Sequence, residues 1–304
     1  MKLREQLGKK WPIIIIVISA TLVLFADLQL LLYYSNFREE SALDEHLQSI
    51  RSRIMAEDYG DIQTYSEDSG DVQTYSEDSG DVQMYSGKTT QERAKQAMAE
   101  LAAINSDYIG WLTLEGTEIS YPIVHRNKEY YLNHDFEQKE NSHGAIFLDG
   151  SCNAEFPVWL IHGHHMKDGT MFGGLKYFEK ADYLQEHSTL YFDAGEGDEK
   201  YRIYAAALID FSDENDSFRP FHYEELPLTS ETFSQWQNNL KQYSYWYDTE
   251  CEKLLEDISE TLLPREILVL STCEYGTDLQ RLIVVAVRVE EAIDDGIISE
   301  EEVI

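Results

Sequence analysis

The hydrophobic and polar positions change rhythm several times along this chain. Trp11 to Ala26 is continuously apolar or small, Asp27 interrupts, and Leu28 to Tyr34 resumes. Taken together, 11–34 is long enough to cross a bilayer at about 20 residues per crossing. Beyond it Leu43, Leu47, Ile50 and Ile54 recur at helical spacing among charges, which predicts a juxtamembrane helix over 37–55. Thr89-x-x-Glu92 is a capping box opening a helix with Ala94, Met98 and Leu101 on one face.

After Asn105 the pattern becomes short β runs. They cover Ile109–Leu114, Ile119–Val124, Ala145–Leu148, Val158–Ile161, Thr189–Phe192, Tyr201–Ile209, Glu266–Thr272 and Arg281–Val289. Glu115-Gly116 reads as the turn of a hairpin between the first two. A long excursion over 210–263 carries one helix, capped by Thr229 or Ser230, with Phe233, Trp236, Leu240 and Tyr243 along it. Many short strands with few helices predict a mainly β fold, a closed or nearly closed barrel.

Between the two N-terminal helices lies a repeat of ten. Asp61-Ile-Gln-Thr-Tyr-Ser-Glu-Asp-Ser-Gly70 recurs with one change as 71–80 and begins again at Asp81. One aliphatic and one Tyr per unit cannot offset the entropy of ordering it, so the stretch reads as a flexible acidic spacer. It lacks the closing Glu of a calcium loop.

Composition sharpens this outline. The net charge of -33 excludes nucleic acid as a natural partner, since phosphate binding needs a basic face. Lys2, Arg4, Lys9 and Lys10 flank the apolar run, which places the N-terminus in the cytoplasm and everything after it outside. The apolar run exceeds a signal-peptide core and no clear cleavage site follows. The expected organisation is a tail at 1–10, an anchor at 11–34, a helix and spacer at 35–88, a catalytic domain at 89–292 and an acidic tail at 293–304.

The three cysteines are Cys152, Cys251 and Cys273. The first two read as separate thiols, although a bridge between them is conceivable. Cys273 ends the apolar run from Leu268, and Arg281 opens the next run. A thiol at a strand end beside a cation is a nucleophile in waiting, because a thiolate needs a lowered pKa or a base. The competing reading is a buried small residue. Arg281 suits an oxyanion, or else a surface ion pair. His162, His164 and His165 form the densest histidine cluster. His-x-His-His lacks the further Asp and His of a metallo-hydrolase pattern, which leaves an acid–base imidazole released into a turn by Gly163. His125, His134 and His187 read as structural.

Six segments in order resemble the class B sortases of Gram-positive bacteria. They are Asn105-Ser-Asp-Tyr-Ile-Gly-Trp-Leu112, Ile119-Ser-Tyr-Pro-Ile-Val124, Tyr130-Tyr-Leu-Asn-His-Asp-Phe136, Gly144-Ala-Ile-Phe-Leu-Asp149, Ile161-His-Gly-His-His-Met-Lys-Asp-Gly-Thr-Met-Phe172, and Leu270-Ser-Thr-Cys-Glu-Tyr275 with Arg281. The resemblance implies an eight-stranded barrel and a membrane-anchored cysteine transpeptidase needing no cofactor and no metal. It maps the nucleophile to Cys273, the acid–base group to His164, the arginine to Arg281 and a substrate contact to Ser271. It implies partners too: surface proteins with a C-terminal sorting motif cleaved after threonine, and a peptidoglycan-precursor amine. His162 stands where relatives often carry Tyr, and the repeats have no counterpart. The residues leave open a pilus-polymerising sortase, a cysteine hydrolase, and an anchored adhesin or scaffold acting through the repeats.

Overall fold

The computed structural model describes residues 2–56, 88–126, 129–210, 230–251, 264–273 and 280–289. The repeats, the C-terminal tail and much of the 210–263 excursion lie outside the described residues. The chain divides into two units, Met1–His46 and Leu47–Ile304.

Helix α1, Lys2–Ala56, runs without a break through the first unit into the second. In the first unit Ile14–Leu31 is long and apolar enough to cross a membrane, and none of it is buried in the protein. Its 18 residues give about 27 Å of helix, close to the hydrocarbon thickness. Thr21 within it donates its hydroxyl back to the carbonyls of Val17 and Ile18, so no hydroxyl proton is left unsatisfied there.

In the second unit α2, Thr90–Ile104, starts on the expected capping box. The Glu92 amide donates to Thr89 Oγ1 at 3.2 Å, and the Thr89 amide to Glu92 Oε2 at 2.8 Å. Its buried face is Ala94, Ala97 and Leu101. Met98, expected on that face, is half-buried: it flanks the buried row and sits over Gly195.

The strands are β1 Tyr108–Leu114, β2 Ser120–His125, β3 Ile146–Leu148, β4 Val158–His162, β5 Thr189–Asp193, β6 Asp198–Asp210, β7 Ser244–Tyr247, β8 Ile267–Cys273 and β9 Gln280–Arg288. Hydrogen bonding runs β5-β1-β2-β3-β4-β8-β9-β6, and β5 pairs β6 to close eight strands into a barrel. β6 makes the closure possible through its length. Its first residues bond β5 while Ala205 to Ala207 bond β7 on the same edge, with β9 along the other. β7 is therefore a ninth strand outside the ring, absent from the sequence expectation because Ser-Tyr-Trp-Tyr is short and unalternating. The β2–β3 and β4–β8 pairs are parallel. Parallel neighbours need long crossovers, and the connections at 126–145 and 163–266 supply them.

The barrel core includes Trp159 and Phe192, edge to face at 5.7 Å. Arg265 lies over both rings and pairs with Glu199 at 2.9 Å, while Arg288 pairs with Glu266 at 2.8 Å. These side chains lie toward the end of the barrel remote from Cys273, where β8 begins and β9 ends. Helix α3 is the short Ala181–Glu186. Helix α4, Ser230–Tyr243, packs Phe233, Trp236 and Leu240 into the core, as their spacing predicts. Each such fully buried side chain is worth about 1.5–3 kcal/mol. Cys152 and Cys251 are both buried and do not bridge to each other. Burial and the neighbouring Asp248 push the Cys251 thiol up to about 12, which makes it inert.

Candidate active site

β8 is apolar on both sides because both are covered, and it carries the chain outward to Cys273. There the strand ends, and β9 returns with Gln280 and Arg281. Cys273 is the cross-strand partner of Arg281, and Ile209 of β6 lies on the far side of Arg281. The register makes the two residues direct neighbours across the β8–β9 pair. Arg281 is half-buried, and its Nη1 donates to the Gln280 carbonyl at 3.1 Å.

Two residues back, Ser271 pairs with Ile283 on one side and with His162 of β4 on the other. It is 1% exposed, and its hydroxyl has no hydrogen-bond partner among the described residues. The row Phe147–His162–Ser271–Ile283 thus lies two residues below the row of Cys273 and Arg281.

His164 begins where β4 stops. The Gly163 amide donates to the Ser271 carbonyl at 3.1 Å, which ties the residue before the imidazole to the strand bearing Cys273. Glycine is required there. A Cβ on Gly163 would lie 2.5 Å from Ile146 Cδ1 and 2.7 Å from the Phe172 ring. The following loop folds back on itself. Phe172 donates its amide to the His164 carbonyl at 3.0 Å, and His165 bridges to Met171.

The imidazole is held from the other side. His164 Nε2 lies 2.8 Å from the carbonyl oxygen of Leu132. A carbonyl only accepts, so Nε2 carries the proton and Nδ1 is the nitrogen left for proton transfer. Leu132 ends a single 3-10 turn, Tyr130–Leu132.

His162 and His165 do other work. His162 Nε2 bonds Asp149 Oδ2 at 2.9 Å. Burial pushes the Asp149 carboxyl up, but hydrogen bonds from His162 and Ser151 and the His162 charge outweigh it and bring it down to about 2. His143 is buried near His164. Burial lowers its pKa, the His164 charge adds to this, and Asp168 opposes it.

The register thus brings Cys273, Arg281 and Ser271 together, and Gly163 brings the loop of His164 to the same strand. The grip of Leu132 on His164 and the Asp149–His162 pair were not expected. A backbone carbonyl leaves no trace in residue type, and Asp149 and His162 are 13 positions apart with no shared motif.

Comparison with known proteins fits this fold. The Sortase domain model matches residues 112–289. Sortase B of Listeria monocytogenes is 30% identical over 192 residues, covering 62% of this chain and 71% of the relative. Sortase B of Staphylococcus aureus is 27% identical over 202 residues, covering 64% and 76%. The structure of the Staphylococcus aureus sortase B–substrate complex superposes with a TM-score of 0.59 at 22% identity, covering 85% of this chain and 100% of that one. A mutant form of Clostridium perfringens sortase B gives 0.56 at 21%, covering 66% and 90%. The eight-stranded barrel is the fold of a family of cysteine transpeptidases, and the chain belongs to that family, the sortases. Within the family its relatives place it in class B.

Proposed function

We propose that this sortase uses Cys273, His164 and Arg281 to cleave a C-terminal sorting motif after threonine and to pass the acyl group to a peptidoglycan-precursor amine. The observation that carries the reading is the pairing of Cys273 with Arg281 where β8 ends and β9 begins. The Cys273 thiolate attacks the threonine carbonyl, forming a C–S bond. Arg281 donates to the oxygen as it gains charge, and its planar cation suits that task. The tetrahedral adduct collapses, the C–N bond breaks, and protonated His164 gives its Nδ1 proton to the departing amine. A second amine then attacks the thioester, gives its proton to His164, and releases the thiolate as the new amide forms.

Several features support this order of events. The Leu132 carbonyl holds the imidazole by Nε2, which frees Nδ1. Ser271, two residues before the nucleophile and 1% exposed, would have to be uncovered for its hydroxyl, unpartnered among the described residues, to contact the sorting motif. A structural neighbour, sortase B, is described in complex with triglycine, a peptide beginning in a free amine; that structure shares the fold at TM-score 0.57. The basic residues before Ile14–Leu31 favour an N-terminus in the cytoplasm, with the barrel on the outer side of a single-pass anchor.

The test is to incubate the full chain in detergent with a sorting-peptide library and triglycine, and to trap the thioester by mass spectrometry. The expected result is an acyl-enzyme on Cys273 that resolves into a triglycine conjugate and disappears in Cys273→Ala. Release of free acid alone, with triglycine present, points to a hydrolase. Conjugation that survives Cys273→Ala removes the assignment.

A further inference from the structure

Helix α2 ends on a side chain that reaches the loop gripping His164. Asn105 is 1% exposed, and all four hydrogen-bonding positions of its amide are used. Nδ2 donates to the Tyr131 hydroxyl at 2.9 Å and to the Phe136 carbonyl at 2.8 Å. Oδ1 accepts from the Asp107 amide at 2.9 Å and from Gln138 Nε2 at 2.8 Å. The Tyr131 hydroxyl passes its proton on to Asp107 Oδ2 at 2.7 Å, and Asp107 is paired with Arg126 at 2.7 Å. The residue after Tyr131 is Leu132, whose carbonyl holds His164.

We infer that Asn105 is a positioning residue for His164, acting through Tyr131 and the Leu132 carbonyl. A buried amide with every site filled has one orientation, because turning it would leave donors facing donors. It therefore fixes the Tyr131 ring and the 136–138 backbone, and with them the carbonyl that sets the imidazole tautomer. The inference rests on the reading of His164 as the acid–base group, and its test separates the two. In Asn105→Ala the 15N histidine spectrum should lose the Nε2–H signature of His164, and kcat should fall roughly tenfold as the imidazole drifts. KM should stay within about twofold. Tyr131→Phe removes the hydroxyl that Asn105 binds and should act in the same direction if Asn105→Ala does not fold. An unchanged tautomer in folded Asn105→Ala, or in Tyr131→Phe should Asn105→Ala not fold, overturns the inference. Transpeptidation surviving in His164→Ala would instead overturn the reading of His164, since the spectrum reports the tautomer whatever the turnover.

Discussion

Cys273 and Arg281 face each other across β8 and β9, the last pair before the connection at 274–279. Eight positions apart in sequence, they become direct neighbours because the two strands run antiparallel. The proposed role of Arg281 therefore rests on geometry as well as charge. Arg281→Lys keeps the cation but loses the planar fork. It should lower kcat/KM with a sorting peptide by about tenfold or more, and Arg281→Ala by about 10²–10³. The loss should fall on kcat; a change confined to KM would assign Arg281 to ground-state binding instead.

Gly163→Ala should damage the same chemistry by steric means. The added methyl has Ile146 and Phe172 within 2.7 Å, so the loop must move. Overpacking of this kind costs about 1–3 kcal/mol. A lower Tm with a larger fall in kcat is expected in calorimetry and peptide assays. Wild-type turnover would show that the entry to His164 tolerates displacement.

Acid should weaken the fold in two stages. His125 and His143 are held below the usual histidine range by burial. The unfolded chain takes up protons near pH 6.5 that the folded chain resists, so stability falls as pH drops below about 6.5. Tm measured from pH 7.5 to 5 should decline, and His143→Gln should flatten the decline. An unaltered slope would remove His143 from this account.

Asp149 governs the second stage. Its carboxyl is depressed to about 2, so its contribution is complete above its unfolded value near 4 and is lost as pH falls toward 2. The shift corresponds to about 2 kcal/mol. Asp149→Asn should lower stability at pH 7 and remove that part of the acid transition, as followed by urea melts at stepped pH. If the variant keeps the full acid transition, the Asp149–His162 bond contributes nothing to it.

Much of this molecule could be read from residue order. The capping box at Thr89 and Glu92, the eight barrel strands and the helix of Phe233, Trp236 and Leu240 each follow from local periodicity, and each is where the pattern puts it. The pairing of Ser271 with His162 was not legible, because a parallel β4–β8 contact spans over a hundred residues with no covalent hint of register. Nor was β7, which gains its strand character from the free edge of β6.

The sequence by itself determined the long apolar N-terminal run and the kinds of element, and offered the cysteine, histidine and arginine as candidates, since periodicity and residue type are local properties. Only the tertiary structure decided that β5 and β6 close the barrel, that Arg281 lies opposite Cys273, and that His164 hangs from the Leu132 carbonyl. Those relations depend on strand register and on backbone atoms, which every residue carries alike and which no pattern of side chains spells out.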